Sequence, residues 1–172
     1  MKKNAVTRAI VTPDKHFPLA DMAAIDVLCQ TIEIVKPDIY IDLGDVGEWE
    51  NASHWKWAKK KRPPLEYITP GIEQDIIDVN KGMDVIDESL DKANCKTKHM
   101  IEGNHDDWMN KFTAEHPYLK YRFKDVVDLK GPGYKYHPCG LSPDQYLKIG
   151  KLSFYHGHHF GSMHHAKNHL TR

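Results

Sequence analysis

Four polar motifs occur in fixed order along the chain: Asp14-Lys15-His16, Gly44-Asp45, Gly103-Asn104-His105-Asp106 and His156-Gly157-His158. Each follows an apolar, strand-like run, and Asp, Asn and His are donors that hold divalent metals. Residues i and i+2 of an extended segment face the same side, so Asp14 and His16 can grip one ion from a single strand end. The plainer alternative is a loop carboxylate and a surface imidazole after Pro13. Asp45 follows Ile39, Ile41 and Leu43, and Gly44 lets the backbone turn sharply there. Its two oxygens can bridge two ions, or it can cap the next segment. Asn104 offers a neutral oxygen, and Asp106 can fix the tautomer of the His105 imidazole. A helix N-cap at Asn104 or Asp106 would account for those two residues but not for the histidine between them. His156 continues the alternating row of Leu152 and Phe154, where a half-buried imidazole bonded to a carbonyl is the plainer reading.

The elements that must position these residues follow from pattern. Ala5 to Thr12 is rich in Val, Ile and Thr and reads as a strand. Asp21 can cap a helix reaching about Val35, with Ala24, Leu28, Ile32 and Val35 on one face, and Pro37 ends it. Asp38 to Leu43 is a second strand, so the strand–helix–strand run predicts a parallel pair joined by a right-handed crossover. The motifs after both strands then lie at carboxyl ends, where open α/β sheets place their sites. Residues 51 to 70 are irregular, with Trp55, Trp57, the run Lys59-Lys60-Lys61-Arg62 and Pro63-Pro64. Ile72, Ile76, Val79, Met83, Ile86 and Leu90 form one apolar helical stripe, suited to packing on a sheet. Lys98 to Glu102 is a third strand. Asp106 to Glu115 is a short helix with Trp108, Met109 and Phe112 inward. Residues 124 to 145 are loop-rich. Tyr146–Ile149 and Leu152–Tyr155 form a hairpin turned at Gly150-Lys151, and residues 161 to 172 read as a helix.

Composition bounds the rest. The 172 residues suit one domain, 1–172, carrying a basic and aromatic insertion around 50–70. Formal net charge is zero, so no global field attracts nucleic acid or an anionic membrane. Cys29, Cys95 and Cys139 are widely spaced, which argues against a disulfide framework or a thiolate zinc site. There is no signal-peptide pattern and no apolar run of the roughly 20 residues that span a bilayer, so a cytoplasmic setting is expected. Trp55, Trp57 and Lys59 to Arg62 can bind nucleic acid by stacking and charge. With a neutral chain, an exposed basic turn with both indoles packed inward is the favoured reading.

Taken together, the motifs resemble the calcineurin-like metallophosphoesterases, as found in phages and bacteria. That family carries D-x-H, G-D-x-x-(D/E), G-N-H-(D/E), an isolated His often followed by Gly, and G-H-x-H. The first four match here, with Glu48 at the acidic end of the second, and the fifth does not occur within the 172 residues. The resemblance implies an α/β fold, a layered β-sandwich flanked by helices, C-terminally truncated. It implies a hydrolase of phosphate esters, foremost a phosphodiesterase, acting through a hydroxide activated by two divalent ions such as Mn, Fe, Zn, Ni or Mg. One ion would be held by Asp14, His16 and Asp45, and the second by Asp45, Asn104 and His156. His105, backed by Asp106, would act on the substrate, with Glu48 and His158 in supporting positions. Without G-H-x-H, activity is expected to be weak and an exposed sheet edge to favour self-association. The alternative is a catalytically impaired remnant that serves as a binding module. Among the tail histidines, His165 and His169 stand four apart, a spacing that can bind metal on a helix.

Overall fold

The computed structural model describes residues 6–128, 134–140 and 146–157. The chain is mixed α/β. A parallel four-stranded sheet flanked by helices is built from β1 (Ala9–Thr12), β2 (Ile39–Asp42), β3 (Thr97–Ile101) and β4 (Tyr134–His137), in the spatial order β1-β2-β3-β4. The register places Ile10 beside Tyr40, Tyr40 beside Lys98, and Lys98 beside Tyr134. Because the strands are parallel, all four carboxyl ends lie along one border of the sheet.

Between β1 and β2 runs α1 (Met22–Val35), whose first turn is capped by Asp21 accepting from the Ala23 N–H at 2.9 Å. Lys36 closes it in the left-handed region (φ 49°), just ahead of Pro37. The buried face is Ile25, Cys29 and Ile32. The expected stripe was one residue out of phase at its start, and Ala24 is exposed.

The long helix α2 (Leu65–Lys92) packs on α1 and begins before the expected stripe, with Pro70 inside it. Pro70 lies in the second turn, where a missing N–H costs one helical hydrogen bond near the end rather than in mid-helix. Ile72, Val79, Met83, Ile86 and Leu90 are fully buried against Tyr40 and Met100 of the sheet. Helix α3 (Asp106–Glu115) buries Met109 and Phe112, and the single turn α4 (Phe123–Val126) adds Phe123 to the same core.

β4 lies inside the stretch expected to be loop. Its alternating Tyr134-Lys135-Tyr136-His137 is strand-like, but Gly131-Pro132-Gly133 and Pro138 on either side mimic a loop. The expected hairpin forms from β5 (Leu147–Ile149) and β6 (Leu152–Phe154), pairing Leu147 with Phe154 across Gly150 at φ 61°. Leu152 is 65% exposed, so Leu152, Phe154 and His156 do not form a buried row. The expected tail helix and His158, His159, His164, His165 and His169 lie outside the described residues.

A buried ion pair sits under the sheet. Lys98 Nζ on β3 is 3.2 Å from Asp87 Oδ1 of α2, and Tyr134 donates its hydroxyl to the same oxygen at 3.0 Å. Burial pushes the Asp87 carboxyl above its usual range, against the pull of Lys98. Lys98→Met should therefore strand a buried carboxylate and cost about 3–5 kcal/mol in urea unfolding. Adding Asp87→Leu to that variant should restore most of the loss. A single variant as stable as the parent would remove the pair's structural role.

Candidate metal centre

The carboxyl ends of β1, β2 and β3, together with the segment after β6, converge on Asp45. Beyond β1, the chain stays joined to the β2 loop by Asp14 N–H to Gly44 O (3.0 Å), His16 N–H to Asp45 O (3.0 Å) and Phe17 N–H to Val46 O (2.8 Å). Asp14 (φ 49°) and His16 (φ 50°) are left-handed rather than extended, so they do not share a side through strand alternation. They are aligned instead because Lys15 between them turns inward. Its Nζ lies 2.8 Å from Asp42 Oδ2, with the two side chains 2% and 0% exposed. This strut was not foreseen, although a Lys inside a D-x-H motif and an Asp closing an apolar strand are the residues that announce it.

Two glycines let the β2 and β3 loops touch. Gly44 has φ 97°, and a Cβ there would stand 2.7 Å from the Gly103 Cα and the Ile101 carbonyl oxygen. A Cβ on Gly103 would overlap the Asp45 carboxylate and backbone nitrogen. With that space free, Asp45 Oδ1 accepts the His105 N–H at 2.8 Å, leaving Oδ2 facing the imidazoles.

Two of those imidazoles are oriented in the same way. His156 donates Nδ1–H to the Leu43 carbonyl at 2.8 Å and points Nε2 at Asn104 Oδ1 (2.9 Å) and Asp45 Oδ2 (3.4 Å). His16 donates Nδ1–H to Glu48 Oε2 at 2.8 Å and turns Nε2 toward Asp45 Oδ2 at 3.9 Å. An acceptor on Nδ1 fixes the tautomer and leaves Nε2 as the ligating atom, the usual arrangement around a metal-binding His. Glu48 is therefore a working partner of His16 rather than an exposed carboxylate.

His105 stacks on Trp108 (centroids 3.8 Å apart, 28° between planes) and places Nδ1 3.2 Å from the Glu48 carbonyl. Its edge meets His16 at 4.7 Å. Trp108, expected inward, is half-buried and backs the imidazole.

Asp106 differs from expectation. It is fully buried and does not reach the His105 ring. Its oxygens accept the N–H groups of Gly103 (3.0 Å) and Val46 (3.2 Å) and the Trp49 indole N–H (2.9 Å), tying the β2 and β3 loops together. The helix start directs its carboxylate into the protein, so Glu48 takes the place expected for it beside His105. Burial pushes the Asp106 carboxyl up to about 7, against the pull of Gly103 and Trp49.

Asp14, His16 and Asp45 offer ligand atoms all within 4.8 Å of one another and can hold a metal ion. His16, Glu48 and His105 make a second such group. There the ring nitrogens nearest Glu48 are Nδ1 atoms that already have acceptors, which suits a supporting role. Three carboxylates, Asp14, Asp45 and Glu48, belong to these groups, and Lys15 beside them is drawn away to Asp42. Burial would raise the Asp45 carboxyl, but the hydrogen bond and charge of His156 and the contacts of His105 hold it below its usual range. The donor set, mixed oxygen and imidazole with excess negative charge, fits a divalent cation. No helix of the described residues is long and apolar enough to cross a membrane. No protein-family model matches the chain, and no curated protein matches it.

Proposed function

We propose that this chain is a metal-dependent phosphoesterase of the calcineurin-like kind, acting foremost on phosphodiesters in the cytoplasm, with a site for two divalent ions. The observation that carries the reading is the pair of imidazoles, His16 and His156, each held through Nδ1 and each aiming Nε2 at the same oxygen of Asp45. Asp14, His16 and Asp45 would hold one ion, and Asp45, Asn104 and His156 the other. Bound there, divalent ions supply Lewis acidity to phosphoryl oxygens and lower the pKa of water toward neutrality.

The chain's own residues do the remaining work. Glu48 and the Leu43 carbonyl keep both ligating imidazoles in the Nδ1–H tautomer. Asp106 holds the two loops in register through their amides. His105, fixed by the Glu48 carbonyl and by Trp108, would present Nε2 to a phosphoryl or leaving-group oxygen, where as the imidazolium it gives up the Nε2 proton and as the neutral ring it accepts one.

The test is hydrolysis of a bis-aryl phosphodiester by the chelator-treated protein before and after addition of excess Mn2+. Turnover should be absent before and present after. Failure to hydrolyse either a diester or a monoester with metal bound would reject the reading in favour of a binding module.

Metal uptake should also depend on pH. Burial lowers the His156 pKa, but Asp45 and the Leu43 carbonyl outweigh that and raise it above the ordinary 6.5. A ligating imidazole must be neutral, so protons compete with metal below that raised value. Apparent Mn2+ affinity should begin to fall, as pH is lowered, above 6.5. A calorimetric titration series across pH reads this directly, and affinity flat down to pH about 5 would contradict it.

A further inference from the structure

We propose that the loop of residues 54–62 binds single-stranded nucleic acid and presents it to the centre around Asp45, which makes a polynucleotide the phosphodiester substrate; this rests on the phosphodiesterase reading above. The chain is neutral overall, yet Trp55 to Arg62 reads Trp-Lys-Trp-Ala-Lys-Lys-Lys-Arg, with five cations and no acid. The inward packing expected of both indoles holds only for Trp57, which is half-buried against the core with Lys56 and Lys60 over its ring at 5.5 and 5.0 Å. Trp55 is 67% exposed, beside the ring of His54.

Lys59, Lys60 and Lys61 are exposed, and among the described residues no carboxylate lies within ion-pair distance of them. Arg62, by contrast, is bonded to Glu115 at 2.6 Å, and Lys56 to Asn51 at 3.1 Å and Glu50 at 3.5 Å, so the loop is anchored on both sides of Lys59, Lys60 and Lys61. An exposed indole next to lysines that no described carboxylate neutralises offers a face for a base and charges for the backbone beside it. Stacking of this kind needs an unpaired base, which selects single strands over duplex. The loop leaves the site directly: Trp55 is seven residues beyond Glu48, a reach of at most about 25 Å even if fully extended. The turn from Trp49 to Ser53 shortens it further. A strand of the roughly 4–16 nucleotides that such surfaces cover can span both places.

The experiment uses the full chain, with chelator, and a fluorescent 15-nucleotide oligothymidylate followed by anisotropy over a salt series. Hydrolysis of the bis-aryl phosphodiester with Mn2+ is measured in parallel. Trp55→Ala should weaken oligonucleotide binding about tenfold. Lys59→Ala/Lys60→Ala/Lys61→Ala should flatten the log–log salt slope by about 2. Both variants should hydrolyse the small diester at the parent rate, and a duplex of equal length should bind the parent more weakly than the single strand. Absence of oligonucleotide binding at about 50 mM salt, or binding that neither variant alters, overturns the proposal and leaves the phosphoesterase reading standing. Binding that depends on Trp55 and the lysines, with no hydrolysis of the small diester, supports the surface and overturns the phosphoesterase reading instead.

Discussion

Asp45→Ala should abolish phosphodiester hydrolysis and remove metal more completely than any other single substitution at the site. Asp45 is the residue that the imidazoles of His16 and His156 both face, at 3.9 Å and 3.4 Å. Loss of a group that merely supports a ligand costs about 10–100-fold in metal affinity. Loss of a carboxylate common to both halves of the site should exceed that range. His105→Ala is the informative comparison, because the contact between the two residues runs through the His105 backbone N–H, which survives the substitution. It should leave metal affinity nearly unchanged while lowering kcat about 10²–10⁴-fold, the range for a lost general acid. Metal analysis and steady-state kinetics on the two variants separate these roles. Equal metal loss would make His105 a ligand or a structural residue.

Gly103→Ala should have the second-largest effect, although it adds only a methyl group. The new Cβ would overlap both the carboxylate and the backbone nitrogen of Asp45, and backbone cannot swing aside as a side chain can. The same residue donates its N–H to Asp106 at 3.0 Å, so displacement would also loosen the tie between the β2 and β3 loops. Overpacking of this kind costs about 1–3 kcal/mol, which leaves a folded protein for measurement. Its far-UV circular dichroism should match the parent, while Mn2+ affinity falls at least about tenfold because Asp45 is pushed off its position. A variant that binds Mn2+ as the parent does would show that the close approach of the loops does not set the centre.

How far the sequence revealed this arrangement depends on which residues report their own surroundings. β1, β2, β3, α1 and the hairpin were legible because their apolar residues recur at strand or helix period. Asp21, Pro37 and Gly150 mark ends by local chemistry alone. β4 was not legible, because its two tyrosines sit between glycines and prolines that signal a loop, and only pairing with β3 makes it a strand. The gathering of Asp14, His16, Asp45, Asn104 and His156 was expected because each lies just past a strand. The way they gather did not. Asp14 and His16 are aligned by left-handed backbone and by the burial of Lys15 on Asp42, 27 residues away in sequence. Asp106 is turned inward by the start of α3, and Glu48 is brought to two imidazoles by the loop it belongs to. These outcomes depend on long-range contacts, which leave no local period to read.

The most direct test of the centre is anomalous diffraction from crystals of the full chain grown with Mn2+, with data on both sides of the manganese edge. Two manganese peaks should share the Asp45 carboxylate, one also touching Asp14 and the His16 Nε2, the other touching Asn104 and the His156 Nε2. Manganese bound to the Nδ1 atoms of His16 and His105 through Glu48, or none within reach of Asp45, would contradict it.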